Sequence, residues 1–148
     1  MRWDTKLLLA ALAAQLVDVI WTFHAVYYNN CYEMNPWVRP FLELGIVPGA
    51  LALARCTILF AAFNLVAWWL GRRLEPFLGF NVLSIISVLG LVCFGFVDID
   101  HLCVYLSSEN LIATSFAELI KIYFLLAIPV AIAYIAHAVR LQMKKTNI

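Results

Sequence analysis

Residues 7–28 read LLLAALAAQLVDVIWTFHAVYY, with Gln15, Asp18, Thr22 and His24 as the polar interruptions. As a helix rising 1.5 Å per residue this stretch is about 33 Å long, enough to cross a hydrocarbon core of about 30 Å. It lacks the strict alternation of a barrel strand. A helix also satisfies its own backbone groups inside lipid. The run exceeds the apolar core of about 7–15 residues found in a secretory signal. It is therefore predicted to stay as an uncleaved first span.

Three more runs follow. The second covers about 46–70, interrupted by Arg55 and Asn64. The third is apolar over about 77–97 and continues as helix to about 106. The fourth covers about 111–139, with Glu118 and Lys121 early and Pro129 inside it. Composition agrees, because 65% of the 148 residues are hydrophobic and 13% are charged. Soluble domains run near 45–50% and 25%. The formal charge of +1 gives no basic surface for nucleic acid.

These features predict an all-α, polytopic integral membrane protein. Residues 1–148 are read as a single transmembrane domain of four helices in an up-down-up-down bundle. The turn Gly71–Pro76 and the segment Ser107–Asn110 are too short for anything but antiparallel neighbours. Arg2, Lys6, Arg72, Arg73, Arg140, Lys144 and Lys145 fall on one side and Arg39 on the other. Positive residues stay inside, so both termini are expected to be cytoplasmic in a prokaryotic inner or plasma membrane. Trp3, Trp21, Trp37, Trp68, Trp69, Tyr27 and Tyr28 form an aromatic belt near the boundaries.

Charges within spans are costly, at about 2.5–3.5 kcal/mol even on lenient scales. Asp18 lies near the predicted midplane, with Gln15 and Thr22 on its helical face. That face should turn inward. Arg55 is expected to pair with Asp18. With Glu118 and Lys121, spaced i, i+3, they make a candidate intramembrane polar network: Asp18, Thr22, Arg55, Glu118 and Lys121. A fixed positive charge at Arg55 disfavours a simple cation channel.

A second cluster lies at the outer end. Asp98 and His101 are three apart, the half-motif that di-metal bundles use twice. Together with Asp100, Glu33 and His24 they make a candidate divalent-metal set. His24 and His101 raise a bis-histidine haem, which nothing else in the chain supports. Cys31 and Cys103 fall on the exported face and are expected to form a disulfide. Cys56 and Cys93 lie within spans as apolar fillers.

Asp18-Val-Ile-Trp-Thr22, then Glu33-Met-Asn35-Pro36, then the basic Arg55 follow one another along the chain. Over residues 7–70 this resembles an uncharacterised family of small prokaryotic four-helix membrane proteins. The resemblance implies a four-helix fold and no activity. In physical terms Asn35-Pro36 should start a turn. Glu33 should cap a helix end or pair with Arg39. The loop of residues 29–45 is too apolar for a free linker and is expected to lie on the membrane or over the bundle.

Three functional readings stay open. The leading one is a non-catalytic subunit of a larger membrane complex, with lipid and other subunits or further copies as partners and no enzymatic activity of its own. The second is a homo-oligomeric transporter or proton- or ion-coupled carrier using the intramembrane charges. The third is a membrane metal protein or enzyme with its site at the outer face.

Overall fold

A computed structural model describes residues 2–28, 31, 33, 35–78, 80–107 and 116–146, without the side chains of 100, 103–107, 116, 141 and 144–146. Five helices account for almost all of it: α1 (Trp3–Tyr28), α2 (Arg39–Glu43), α3 (Ile46–Leu78), α4 (Ser84–Ser107) and α5 (Phe116–Thr146). No strand occurs among the described residues. α1, α3 and the Ala117–Arg140 part of α5 are each long and apolar enough to cross a membrane. α4 contains a shorter apolar stretch, Ser84–Ile99.

Contacts at both ends give the directions. Arg2 pairs with Glu75 near the end of α3, while Tyr27 near the end of α1 reaches Gly45 just before α3. α1 and α3 are therefore antiparallel. Asp4 meets Asn81 just before α4, and Asp18 meets His101 late in α4, so α1 and α4 run parallel. Tyr134 late in α5 bonds to Asn81, which places α5 antiparallel to α4. The expected up-down-up-down order follows. α4 is the central element, touching α1, α3 and α5.

The packing seams are made of small and polar residues, as close helix approach in lipid requires. On α1 the face of Ala11, Gln15 and Thr22 is buried, as the spacing predicts. Ala11 lies near Gly90 of α4, where Phe60 of α3 also closes in. Between α3 and α4, the Ser87 hydroxyl donates to Asn64 Oδ1 at 3.1 Å, and Asn64 Nδ2 donates to the Phe60 carbonyl at 3.1 Å. Each side chain thus finds a partner where no water is at hand.

At the terminal end a polar lock joins all four long helices. The buried Asp4 carboxylate accepts from Asn81 Nδ2 at 3.1 Å and from Arg2 Nε at 3.3 Å, with Arg72 Nη1 3.6 Å away. Arg2 also binds Glu75 through both carboxylate oxygens, and Asn81 Nδ2 donates to the Trp68 carbonyl at 3.3 Å. Arg72 and Arg73 stack over Trp68 and Trp69 at 5.4 and 5.2 Å, a cation–π arrangement suited to a wet boundary.

The stretch expected as a turn at Gly71–Pro76 is helical, since α3 runs to Leu78 and α4 begins at Ser84. Gly71 does not stop the helix. It is a contact point, because a Cβ there would overlap Asn81 Oδ1 and approach Leu83 Cβ to 3.0 Å. Pro76 sits in the last turn of α3, where it removes only one hydrogen bond near an end. The Ser107–Asn110 connection lies mostly outside the described residues, and α5 continues past Val139 to Thr146.

The loop after α1 packs over the bundle. Val38 and Leu42 are buried with Leu53 against Val19, Phe23, Val26 and Tyr27. The Tyr27 hydroxyl donates to the carbonyl of Gly45 at 2.7 Å and also reaches that of Leu42 at 3.1 Å. Gly49 lies beneath it, where a Cβ would overlap the hydroxyl and come within 2.8 Å of Leu42 Cδ2. Gly49→Ala is therefore expected to lower stability by about 1–3 kcal/mol through overpacking. Gly95→Ala is a fair control, since nothing lies within 4 Å of its position and a helical Gly→Ala change gains up to about 1 kcal/mol. Thermal unfolding in detergent should give opposite signs for the two.

Candidate functional site

Asp18 projects from the middle of α1 toward the last turns of α4. There it meets Asp98 and His101, which the i, i+3 spacing holds on one face. One ligand atom from each of Asp18, Asp98 and His101 lies within 4.8 Å of the other two. His101 Nδ1 is 3.7 Å from Asp18 Oδ1. All three residues are partly buried. Asp18 Oδ1 and Asp98 Oδ1 are shielded from solvent and accept no hydrogen bond among the described residues.

Two partly buried carboxylates side by side repel each other, and one oxygen of each has no hydrogen-bond donor among the described residues. Buried polar atoms without partners are rare enough in native proteins that each calls for a physical cause, such as a bound ion. The donor set fits one. Two carboxylates and an imidazole suit a first-row divalent cation. Bonds of about 2.0–2.2 Å in a tetrahedron put ligand atoms about 3.4 Å apart. Asp18 and His101 already lie close to that spacing. The cation's two positive charges would also cancel the two carboxylates in an apolar setting.

Glu33 lies in the loop that follows α1. At the end of α1 the Cys31 amide donates to the Ala25 carbonyl at 3.0 Å. Asn35 then organises the next turn. Its side chain accepts from the Trp37 amide at 3.0 Å, and its carbonyl accepts from Val38 at 3.2 Å and Arg39 at 3.0 Å. The turn expected at Asn35-Pro36 thus forms. The Asn35 amide donates to Glu33 Oε1 at 2.7 Å. The Glu33 carboxylate acts on Asp18 through space, but it is not among the ligand atoms that lie within 4.8 Å of one another. Burial pushes the Glu33 carboxyl above the usual range, and the Asn35 amide offsets part of that rise. Arg39 pairs with Glu43 at 2.6 Å.

The structure therefore joins two groups that the sequence kept apart. Asp18, assigned to an intramembrane network, belongs with Asp98 and His101. The expected network of Asp18, Thr22, Arg55, Glu118 and Lys121 is not built on an Asp18–Arg55 pair. Thr22 is buried, but Arg55 lies on an exposed face of α3, and Glu118 and Lys121 are exposed on α5. Asp18 makes its ion pair with His101 and not with Arg55. The buried positions of α3 are Gly49, Leu53, Asn64, Ala67 and Gly71. Arg55, two residues from Leu53, lies about 200° around the helix from it. Its long side chain is free to snorkel toward a membrane surface. Arg55→Gln is accordingly expected to change stability by less than about 0.5 kcal/mol. A loss near the 3–5 kcal/mol of a broken buried pair in a denaturation series would contradict this placement.

His24 stays outside the cluster. It is exposed, stacks on Tyr28 at 5.3 Å, and lines an apolar groove of 560 Å³ with Leu16, Ile20, Phe23, Leu53 and Ile58. The groove opens on another side of α1 from Asp18, so His24 and His101 do not face each other across one site. The side chains of Asp100 and Cys103 lie outside the described residues, and with them the expected Cys31–Cys103 disulfide.

Sequence reading missed Asp4 and Asn81 as a pair, since neither sits in a recognisable motif. Comparison of the chain with protein-family models, with curated proteins and with solved structures finds no match in any of the three.

Proposed function

We propose that this protein is a small multi-pass membrane protein that binds a divalent metal cation between α1 and α4. The observation that carries the reading is the convergence of Asp18, Asp98 and His101 within 4.8 Å, with two buried carboxylate oxygens lacking hydrogen bonds. The set contains three protein donors, as in metal sites that accept a further ligand. The count of basic residues supports cytoplasmic termini, which puts the site in the outward half of a cell membrane.

The experiment is metal analysis of protein purified in mild detergent, stripped with chelator and dialysed against Zn²⁺ or Mn²⁺. About one tightly held cation per chain is the expected result. No binding at saturating metal would remove the reading.

A second reading, a subunit of a larger assembly, is favoured by one observation. The apolar faces of α3 and α5 are almost wholly unburied within the chain. Lipid covers such faces as well as protein does, so it is the weaker of the two. A particle mass in mild detergent clearly above 16.8 kDa per chain after subtracting bound detergent is its expected signature.

A further inference from the structure

We infer that the apolar groove between α1 and α3 holds one acyl chain of an anionic phospholipid, whose phosphate pairs with Arg55. The inference rests on the chain crossing a bilayer and is independent of the metal site.

The groove has the depth of one leaflet. Arg72 and Arg73, stacked on Trp68 and Trp69, mark one membrane boundary on α3. About 20 helical residues cross the hydrocarbon core, which sets the other boundary on α3 near residue 50. On α1 the same count beyond Lys6 puts that boundary near residue 26 and the midplane near Leu16. The groove runs from Leu16 to Tyr28 along α1 and meets α3 between Ala50 and Ile58. It therefore extends from the midplane to the boundary on the side of the loop after α1. At 1.5 Å per residue it is about 18 Å long on α1, against about 15 Å for half of the core. A partner helix that crosses the bilayer needs a seam through both leaflets. A single acyl chain ends where this groove ends.

The lining suits a hydrocarbon chain. Leu16, Ile20 and Phe23 of α1 form it with Leu53 and Ile58 of α3. Thr57 also lines it, but its hydroxyl donates to the Leu53 carbonyl at 2.9 Å, so its proton is already used. His24, stacked on Tyr28, lies at the boundary end, where a headgroup begins.

Arg55 supplies the charge. It is next to Ala54 and one turn from Ile58, which both line the groove, and it is exposed. It makes no ion pair or hydrogen bond with the described residues. It lies about 8 Å below the boundary near residue 50. Side chains lean toward the N-terminus of their helix, which for α3 is toward that same boundary, and an arginine stem snorkels the remaining distance. A cation at this depth without a protein partner calls for an anion from the lipid. The guanidinium binds a phosphate through two parallel hydrogen bonds. Phosphate above and acyl chain below then belong to one molecule.

The test is native mass spectrometry of the full-length protein in mild detergent with chelator, so that metal binding does not enter. It is titrated with phosphatidylglycerol and separately with phosphatidylcholine of the same acyl chains. The native chain should hold one phosphatidylglycerol about 10-fold more tightly than phosphatidylcholine, the factor that one charge-assisted hydrogen bond supplies. Arg55→Gln should lose this preference, and Arg55→Lys should keep part of it. Ala54→Phe fills the groove from an exposed position. It should weaken both lipids at least about 10-fold by excluding the acyl chain. Leu125→Phe, on the exposed face of α5, should leave binding unchanged. Equal binding of the two lipids by the native chain, or native binding by Ala54→Phe, would overturn the inference. So would a native particle of two chains that Ala54→Phe splits, because a second copy would then cover the groove.

Discussion

Asp18→Asn is expected to remove the metal-dependent stabilisation of this protein while leaving the metal-free form as stable as the native chain, or more so. A cation that binds only the folded state adds about 2.7 kcal/mol when present at 100 times its dissociation constant. For a chain of this size that corresponds to a rise of about 5–10 °C in unfolding temperature. Loss of an outer-shell partner alone costs about 10–100-fold in affinity, so loss of a ligand should cost at least about 100-fold. At the same metal concentration the variant would then gain about 0.4 kcal/mol, or about 1 °C. Without metal, the change relieves the repulsion between two adjacent, partly buried carboxylates, which offsets loss of the 3.7 Å approach of Asp18 to His101. Thermal unfolding with and without Zn²⁺ checks both halves. If Asp18→Asn gains as much from metal as the native protein, Asp18 is not a ligand. If it is strongly destabilised without metal, Asp18 serves the apo fold and the orphaned oxygen has another explanation.

The second large effect is expected at the opposite end of the bundle. Gly71→Ala would place a methyl group on Asn81 Oδ1 and within 2.7 Å of its Cγ. Asn81 has little freedom to retreat, since its amide nitrogen bonds Asp4 and the Trp68 carbonyl, and its own carbonyl accepts from Tyr134. Overpacking costs about 1–3 kcal/mol. Stripping a buried carboxylate of a donor adds about 1–3 kcal/mol. A loss of about 2–5 kcal/mol is therefore expected in a detergent or bicelle unfolding assay. The mechanism has a further signature. In the double variant Gly71→Ala with Asn81→Ala the methyl group no longer meets the amide, so the pair should cost little more than Asn81→Ala alone. Simple additivity would show that the two residues do not act through one contact.

Much of this molecule follows from its sequence, for reasons local to each segment. Hydrophobic length fixes the spans, since a helix must cover the bilayer from its own residues. The small and polar positions Ala11, Gln15 and Thr22 mark the inward face of α1, because close approach between helices in lipid needs such residues. The spacing of Asp98 and His101 puts them on one face of α4 whatever surrounds them. The Asn35-Pro36 turn forms because its hydrogen bonds are made within a few residues.

What tertiary structure decided are the meetings between segments far apart in the chain. Asp18 needed a partner, and both Arg55 and the Asp98–His101 pair lay within a plausible range of depth. The choice depended on which way α3 was rotated. Gly49, Leu53, Asn64, Ala67 and Gly71 took its inward face and turned Arg55 outward. That row of small and polar residues was legible as a seam, and charge complementarity alone pointed the other way. Gly71 makes the same point for a single residue. A glycine after an apolar run reads as a helix end or as a close contact, and only the position of Asn81 shows which. The loop after α1 rests over the bundle because Val38 and Leu42 bury themselves with Leu53 against Tyr27, a contact no local pattern encodes. The candidate metal site is thus made of residues each visible in the sequence, joined by packing that the sequence expresses only through the whole fold.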